Sequence, residues 1–175
     1  MKALRFFPIA VICFLCACDT SLPTDVSHSI GLDRGVEVSY MLSEGHFVEN
    51  WYTAETNPIC LIFRDYDCFD EYFSIAWIQG MDGSKLITGE KMEGGFVLSI
   101  IYQGRDVSRL GIERIGLREG TLIVDYGREI LMEGASFTGN YHVTVLIDDC
   151  AFDSVMLYEN GKRVMHASIA EVECE

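Results

Sequence analysis

One segment in the middle of the chain, residues 96–102, is almost entirely apolar, and it limits the folds that the chain can adopt. It follows Gly94 and Gly95 and contains Phe96, Val97, Leu98, Ser99, Ile100, Ile101 and Tyr102. A strand with one face in water alternates apolar and polar residues, whereas a strand without alternation is covered on both faces. The segment therefore predicts a central strand with a layer of structure on each side.

A helix is the expected cover for one of those faces. Between Asp67 and Ile78 the apolar residues recur at i, i+3, i+4, i+7 and i+8, which is the amphipathic helix pattern. These residues are Phe69, Tyr72, Phe73, Ala76 and Trp77. Asp65 or Asp67 suits the N-cap, and Gly80 suits the end of the helix. We predict one amphipathic helix over about 67–78, packed on the sheet.

The remaining apolar segments are typical of strands. They are residues 35–41, 46–48, 58–63, 110–117, 122–126, 141–147, 155–158 and 163–170. Asn160 and Gly161 separate the last two, and this dipeptide is a strong hairpin signal. A phase slip near Gly111 or Arg114 indicates a bulge. We predict an α+β, mainly β fold, with a largely antiparallel sheet or sandwich of about seven to nine strands.

The start of the chain is typical of an exported protein. Lys2 and Arg5 precede an apolar run over residues 6–15, the pattern of a secretory signal and shorter than the roughly 20 residues of a membrane span. The run ends in Leu15-Cys16-Ala17-Cys18, which resembles the lipobox of bacterial lipoproteins. The resemblance implies that Cys18 becomes an acylated N-terminus, carrying fatty acids such as palmitate. The alternative is an ordinary secretory signal with an incidental cysteine.

This start predicts three parts. Residues 1–17 form a lipoprotein signal peptide, residues 18–30 form the acylated cysteine with a polar tether, and residues 31–175 form a single β-rich domain. The tether spans roughly 20 Å if flexible. We therefore expect the protein in the bacterial cell envelope, lipid-anchored to a membrane, with both the inner and the outer membrane open.

Four cysteines remain outside the signal and the anchor, and we treat all of them as disulfide candidates: Cys60, Cys68, Cys150 and Cys174. We favour a bond between Cys150 and Cys174, because a meander of the last three strands would bring these two cysteines to the same side of a sheet. Cys60 and Cys68 either pair with each other or remain small buried hydrophobic residues. None of the four has zinc-site or redox-motif spacing.

The charge of the chain limits its partners. The net charge is −14, and removal of Lys2 and Arg5 with the signal would take it to −16. Such a protein repels nucleic acid and anionic headgroups, so we expect no nucleic-acid partner. The negative charge serves either solubility or docking of a basic partner. The membrane, through the lipid, and a protein or envelope polymer are the partners that we expect.

The sequence contains no catalytic signature. No nucleophile elbow, zinc-protease pair, phosphate loop or dinucleotide fingerprint is present. His142 and His166 could share a sheet face, although ordinary strand histidines explain them better. The acids near Asp65 fit helix capping better than calcium binding. We predict no catalytic residue, metal ion or cofactor. Phe47, Trp51 and Tyr52 cluster outside the strong strands, either as core or as an exposed recognition patch.

The chain resembles a group of small Bacteroidetes-type envelope lipoproteins without an assigned activity. The residues that carry the resemblance are the lipobox, Phe47-Val48-Glu49-Asn50, Phe69-Asp70-Glu71-Tyr72-Phe73 with Ala76, and the apolar strand at 96–101. More distantly, a helix, an apolar strand and alternating strands are similar to the PrcB type of envelope accessory protein, which serves a protease complex. Gly139-Asn140-Tyr141 approaches the strand opening of that type. Neither resemblance implies a catalytic residue.

Two classes of function follow from these observations. The favoured one is a non-enzymatic, lipid-anchored envelope protein that acts as a binding or accessory module. The alternative is an envelope hydrolase that uses carboxylates, or an inhibitor of a hydrolase. A deep pocket with converging acids or histidines would favour the enzyme, and a shallow groove would favour binding.

Overall fold

The structure, a computed structural model, describes residues 35–48, 57–76 and 83–168. All of them belong to one compact unit, Asp33–Glu175. The strands are β1 (Val36–Glu37), β2 (Tyr40–Leu42), β3 (His46–Val48), β4 (Ile59–Phe63), β5 (Phe73–Ile75), β6 (Gly95–Gly104), β7 (Val107–Arg118), β8 (Thr121–Met132), β9 (Gly139–Asp148), β10 (Ser154–Glu159) and β11 (Lys162–Ser168). The helices are α1 (Tyr66–Tyr72), α2 (Gly89–Met92) and a short 3₁₀ turn (Gly83–Lys85).

The strands form three sheets, and the prediction of a mainly β fold is confirmed. The first sheet has the order β1-β7-β8-β10-β11 and is antiparallel except where β10 runs parallel to β8. The second has the order β2-β9-β6-β4 and is antiparallel throughout. The third is the pair β3-β5. We call the first two the five-stranded and the four-stranded sheet.

β6 is the central strand that the apolar segment predicts. It lies between β4 and β9 and is covered on both faces. Phe96, Leu98 and Ile100 pack into the core between the two large sheets. Val97 and Ile101 pack into a second core, with apolar residues of α1, α2 and β5. Because neighbouring residues of a strand point to opposite faces, one apolar run supplies both cores.

The predicted helix is real but shorter than its pattern suggests. Asp65 is the N-cap, and its Oδ1 accepts a hydrogen bond from the Cys68 amide at 3.0 Å. The helix ends at Tyr72, and Phe73 adopts an extended conformation, with φ of −129°. Residues 73–75 then form β5 and pair with β3. Tertiary strand pairing overrides the helical spacing here, and Trp77 lies outside the described residues.

The C-terminal strands do not form the predicted meander. β10 and β11 do pair as a hairpin through Asn160 and Gly161, whose φ angles are +49° and +79°. β9, however, belongs to the four-stranded sheet, while β10 and β11 belong to the five-stranded sheet. The alternating pattern of β9 fits either sheet equally well, so the sequence did not distinguish the two arrangements. The predicted irregularity in β7 is confirmed as a register shift between Ile112 and Arg114.

Candidate functional site

One end of the sandwich presents two connections that hold each other in place. They are the turn between β6 and β7 and the loop between β8 and β9. The Ala135 amide donates to the Arg105 carbonyl at 2.7 Å, and Arg105 Nε donates to the Ala135 carbonyl at 2.9 Å. The Gly134 amide donates to Asp106 Oδ1 at 2.9 Å. These hydrogen bonds fix the loop against the turn, so the end has a defined surface.

This surface is apolar and exposed. Ile130, Leu131 and Met132 close β8 with 43%, 49% and 60% of their surface exposed, and Phe137 in the following loop is 60% exposed. We call these four residues the apolar end. Single exposed apolar residues are common, but four of them at one end of a sandwich, on both faces of the end of β8 and in the loop that follows, are typical of a binding site. The sequence signal was a run of three apolar residues after an alternating strand, which sequence reasoning overlooked.

Beside the apolar end, the outer face of the five-stranded sheet carries a shallow depression of about 320 Å³ that is open to solvent. Its lining includes Arg109, Gly111 and Glu113 from β7, Gly127 and Glu129 from β8, and Asn160 from the last hairpin turn. We call it the outer depression. Its volume is at the low end of the range for small-ligand pockets.

The floor of the outer depression is bare backbone, because Gly111 and Gly127 face each other across β7 and β8. A Cβ atom on Gly111 would have no neighbouring atom within 4 Å, so internal packing does not require glycine there. A Cβ on Gly127 would lie 3.0 Å from Glu113 Oε1. Glu113 therefore holds its carboxylate next to the glycine floor, at the bulge of β7.

The charged rim of the depression is loosely paired. Arg109 and Glu129 face each other, with 3.6 Å between Nη1 and Oε2, and their side chains are 71% and 64% exposed. Exposed pairs of this kind contribute at most about 1 kcal/mol. Both groups can therefore turn toward a ligand at little cost.

Asn160 lines one side of the depression, and its side chain makes the backbone hydrogen bonds that a neighbouring strand would make. Its Oδ1 accepts from the Arg128 amide at 3.0 Å, and its Nδ2 donates to the Arg128 carbonyl at 3.1 Å. Its own amide donates to the Tyr126 carbonyl at 2.9 Å. The hairpin turn thus satisfies the edge of β8 for one residue pair beyond the end of β10.

A polar cluster beneath the depression supports it from the inner side. Arg128 Nε donates to Glu159 Oε1 at 3.0 Å, and the Tyr126 hydroxyl donates to Glu159 Oε2 at 2.8 Å. The Arg128 guanidinium lies 4.0 Å from the centre of the Tyr102 ring. Burial, followed by the hydrogen bond to Glu159, raises the pKa of Tyr126 above its ordinary value. The cluster joins β6, β8 and β10 at this end.

The histidines come together in a combination that the sequence did not indicate. The suggested pairing of His142 with His166 is wrong, because these residues lie in different sheets. His142 instead forms a hydrogen bond with the backbone of His46. His142 Nδ1 also lies 3.2 Å from Thr144 Oγ1, which lies 2.9 Å from the buried Ser99 Oγ.

Both histidines lie against the aromatic rings of α1 and β5. His46 contacts Phe69, and His142 contacts Phe73, at centroid distances of 5.2 Å and 5.6 Å. Burial is the main cause that lowers the pKa of each; His142 lowers that of His46 further, and Asp70 opposes this. Ser99 is fully buried, so it cannot act as a nucleophile on an external substrate. The cluster is a structural element of the second core.

The disulfide states of the cysteines differ from the pairing that the sequence favoured. Cys60 and Cys150 are free, so neither the bond of Cys150 to Cys174 nor that of Cys60 to Cys68 is present. The physical reason is that β9 joins the four-stranded sheet and does not lie beside the last hairpin, as the meander required. Cys68 is buried and disulfide-bonded. Cys18 and Cys174 lie outside the described residues.

The proposed aromatic patch is only partly described. Phe47 on β3 is 44% exposed, and its pairing partner on β5 is Ser74. Trp51 and Tyr52 lie outside the described residues. Phe47 is therefore exposed, as a recognition residue must be, but its grouping with the other two stays a prediction.

Metal ligands do not converge in the described part of the chain. In residues 35–48, 57–76 and 83–168, no group of three or more metal-ligating side chains is placed to hold a metal ion. No helix within those ranges is long and apolar enough to cross a membrane. Comparisons with protein-family models, with curated proteins and with solved structures gave no match.

Proposed function

We propose that the chain is a lipid-anchored protein of the bacterial envelope that acts as a non-enzymatic binding or accessory module. The observation that carries the proposal is the apolar end, a group of exposed apolar side chains at the end of β8 and in the hydrogen-bonded loop that follows it, next to a shallow depression. Loops fixed at one end of a rigid β-sandwich are a common way to present a recognition surface. A protein partner is the occupant that such a surface suits best.

Two features support binding over catalysis. The outer depression is open, and its carboxylates and guanidinium are in contact with water, where electrostatic stabilisation of a transition state is weak. The histidine cluster, which has the perturbed pKa values typical of active sites, lies against the aromatic rings of the second core; its Ser99 hydroxyl is fully buried, and the Ser43 hydroxyl, 2.8 Å from His46 Nδ1, is partly buried. Burial is the main cause of both lowered pKa values.

Site-specific photo-crosslinking in intact cells tests the binding surface. A photoreactive phenylalanine analogue in place of Phe137 should give one discrete crosslinked species. The same analogue in place of Val164, which is exposed on β11, is the matched control and should give none. Equal crosslinking from both positions, or none from Phe137, would contradict the proposal.

The anchor requires a separate test. Growth with an alkyne-labelled fatty acid should label the protein, and Cys18→Ala should abolish both the label and membrane retention. Cys13→Ala lies within the predicted signal and should keep both. A Cys18→Ala protein that stays in the membrane fraction, with an unlabelled wild type, would refute the lipoprotein part of the proposal.

A further inference from the structure

The edge of β8 extends past the strand that covers it. β10 pairs with residues 121–126 of β8, from Ser154 opposite Thr121 to Glu159 opposite Tyr126. β8 itself continues to Met132. Among the described residues, no strand pairs with this edge beyond Tyr126, and the side chain of Asn160 satisfies Arg128 alone.

The direction of the backbone groups identifies the unpaired residue. The Tyr126 carbonyl and both backbone groups of Arg128 point to the β10 side, where Asn160 binds them. In a strand, alternate residues direct their amide and carbonyl groups to the same edge. The amide and carbonyl of Ile130 therefore point to this edge as well, past the reach of the hairpin turn.

An exposed sheet edge with apolar side chains promotes aggregation, so its presence favours a binding role. Proteins usually protect such edges with charge, proline, a bulge or a covering loop, because they pair readily with other chains. Here Ile130, Leu131 and Met132 are all exposed, and a register shift makes Leu131 a bulge, so the regular edge ends at Ile130. In β-strand addition, main-chain hydrogen bonds at an edge give affinity, and adjacent pockets for side chains give specificity.

The outer depression has the features of such a pocket. Its glycine floor lets a side chain approach the sheet closely, which is a known use of glycine inside strands. Glu113 places its carboxylate next to this floor. The ion pairs between described residues do not include Glu113. The lining carries two carboxylates, Glu113 and Glu129, and two arginines, Arg109 and Arg128. Arg109 pairs with Glu129 and Arg128 pairs with Glu159, so Glu113 is the carboxylate that complements a basic side chain.

We propose that the edge of β8 at Ile130 accepts an extended segment of a partner protein as an added strand, with apolar side chains on the apolar end and a basic side chain in the outer depression against Glu113. This inference rests on the proposed binding function and names its mode. Neighbouring strands place paired side chains about 5 Å apart. A lysine or arginine of the added strand can therefore extend across Glu129 to Glu113.

The test uses the wild-type protein and a displayed library of random peptides of roughly 15 residues as the probe. Selected peptides should alternate apolar residues and contain a basic residue, and their binding should slow hydrogen exchange at the Ile130 amide. Ile130→Pro removes the edge donor, a change that edge strands tolerate, and should abolish binding. Ile130→Thr keeps the amide and should weaken binding much less than Ile130→Pro. Exchange at Ile130 is measured on the wild type, so it holds as a test even if Ile130→Pro does not fold.

The pocket is tested with the same peptides. Glu113→Gln should weaken binding about two- to fivefold, as expected for loss of one exposed ion pair. Replacement of the basic residue in the peptide should have the same effect on the wild type and none on Glu113→Gln. If replacement of the basic peptide residue weakened binding to both proteins equally, the assignment of the basic side chain to Glu113 would be overturned.

Several outcomes would overturn the edge assignment. They are a library that yields no binder, binding that Ile130→Pro leaves intact, an Ile130 amide already protected in the free protein, and a dimer of this chain that Ile130→Pro dissolves. The last would assign the edge to a second copy. If the Ile130→Pro variant still crosslinks to the partner through position 137, the added strand is refuted, but the proposed binding function is not. Absence of any partner refutes the function itself.

Discussion

Arg128 and Glu159 form a charged pair that is largely withdrawn from solvent. Arg128 Nε and Glu159 Oε1 are 3.0 Å apart, and each side chain is 16% exposed. Tyr126 donates to the second carboxylate oxygen, and the Tyr102 ring covers the guanidinium. Since residues on β6, β8 and β10 all contribute, the pair joins both large sheets beneath the outer depression.

Removal of one partner from this pair should lower stability strongly. Arg128→Met leaves the Glu159 carboxylate with Tyr126 but without its cation, and we expect the free energy of unfolding to fall by about 2–3 kcal/mol. Urea denaturation measures this. Arg109→Met breaks the exposed pair with Glu129 and is the matched control, with an expected change within about 0.5 kcal/mol. Similar losses in the two variants would show that burial does not strengthen the inner pair.

The histidine cluster should make stability depend on pH. The folded protein lowers the pKa of His46 and His142, mainly by burial, whereas both titrate near 6.5 when unfolded. Below that value the unfolded chain binds more protons than the folded one. Stability should therefore be full above about pH 6.5 and fall as the pH decreases toward the lower folded values, by at most about 1.4 kcal/mol per pH unit for each histidine.

Urea unfolding between about pH 7.5 and 5.5 checks this prediction. His142→Gln removes one of the two buried imidazoles and should flatten the decline. Asp70 faces the cluster from α1 and favours the charged form of His46, so Asp70→Asn should steepen it. His166→Gln, at an exposed position of β11, is the control. An identical decline in wild type and His142→Gln would exclude the cluster as its cause.

The sequence predicted the elements whose signals are local. The absence of alternation around Leu98 identified the central strand, Asp65 identified the start of the helix, and Asn160 with Gly161 identified the hairpin. Local signals do not specify which sheet a strand joins, so β9 was placed beside the wrong partners. Phe73 fitted a helical stripe, but β3 pairs with it as a strand. The pairing of distant elements determined both outcomes.

Prediction of the candidate site from the sequence depended even more on which distant strands pair and in what register. Gly111 and Gly127 are visible in the sequence, but their alignment across β7 and β8 depends on a bulge between Ile112 and Arg114. His46 and His142 approach each other only because β3 folds over the four-stranded sheet. Exposed edges cannot be read from alternation, because alternation reports which face of a strand is buried and not whether another strand pairs with its edge. The apolar run at 130–132 was the one local signal of the site.

Cys60 and Cys68 should both resist alkylation in the native protein, but for different reasons. Burial raises the pKa of the Cys60 thiol to about 12, so little thiolate is present at pH 8. Iodoacetamide should modify Cys60 much more slowly in the native protein than after unfolding. Cys68 should resist alkylation until a reductant is added, because it is disulfide-bonded.

Peptide mapping by mass spectrometry resolves these states. It should also identify the partner of Cys68, which is neither Cys60 nor Cys150 because both are free. Native alkylation of Cys60 at the rate of a free peptide thiol, or a disulfide-bonded Cys150, would contradict the structure.

Gly111→Ala should raise the stability of the protein and weaken its binding of peptide. Glycine inside a strand costs roughly 0.5–1 kcal/mol relative to alanine, and a Cβ at position 111 would meet no atom within 4 Å. Gly111→Ala should therefore raise the free energy of unfolding by about that amount and weaken peptide binding, because the new methyl group occupies the floor of the outer depression. Gly95→Ala is the contrast, since its Cβ would lie 2.1 Å from the Ile147 carbonyl oxygen, and it should destabilise the protein by about 1–3 kcal/mol. Urea denaturation and peptide titration on the same samples separate the two effects. A Gly111→Ala protein that is more stable and binds peptide as well as the wild type would show that the glycine floor has no part in recognition.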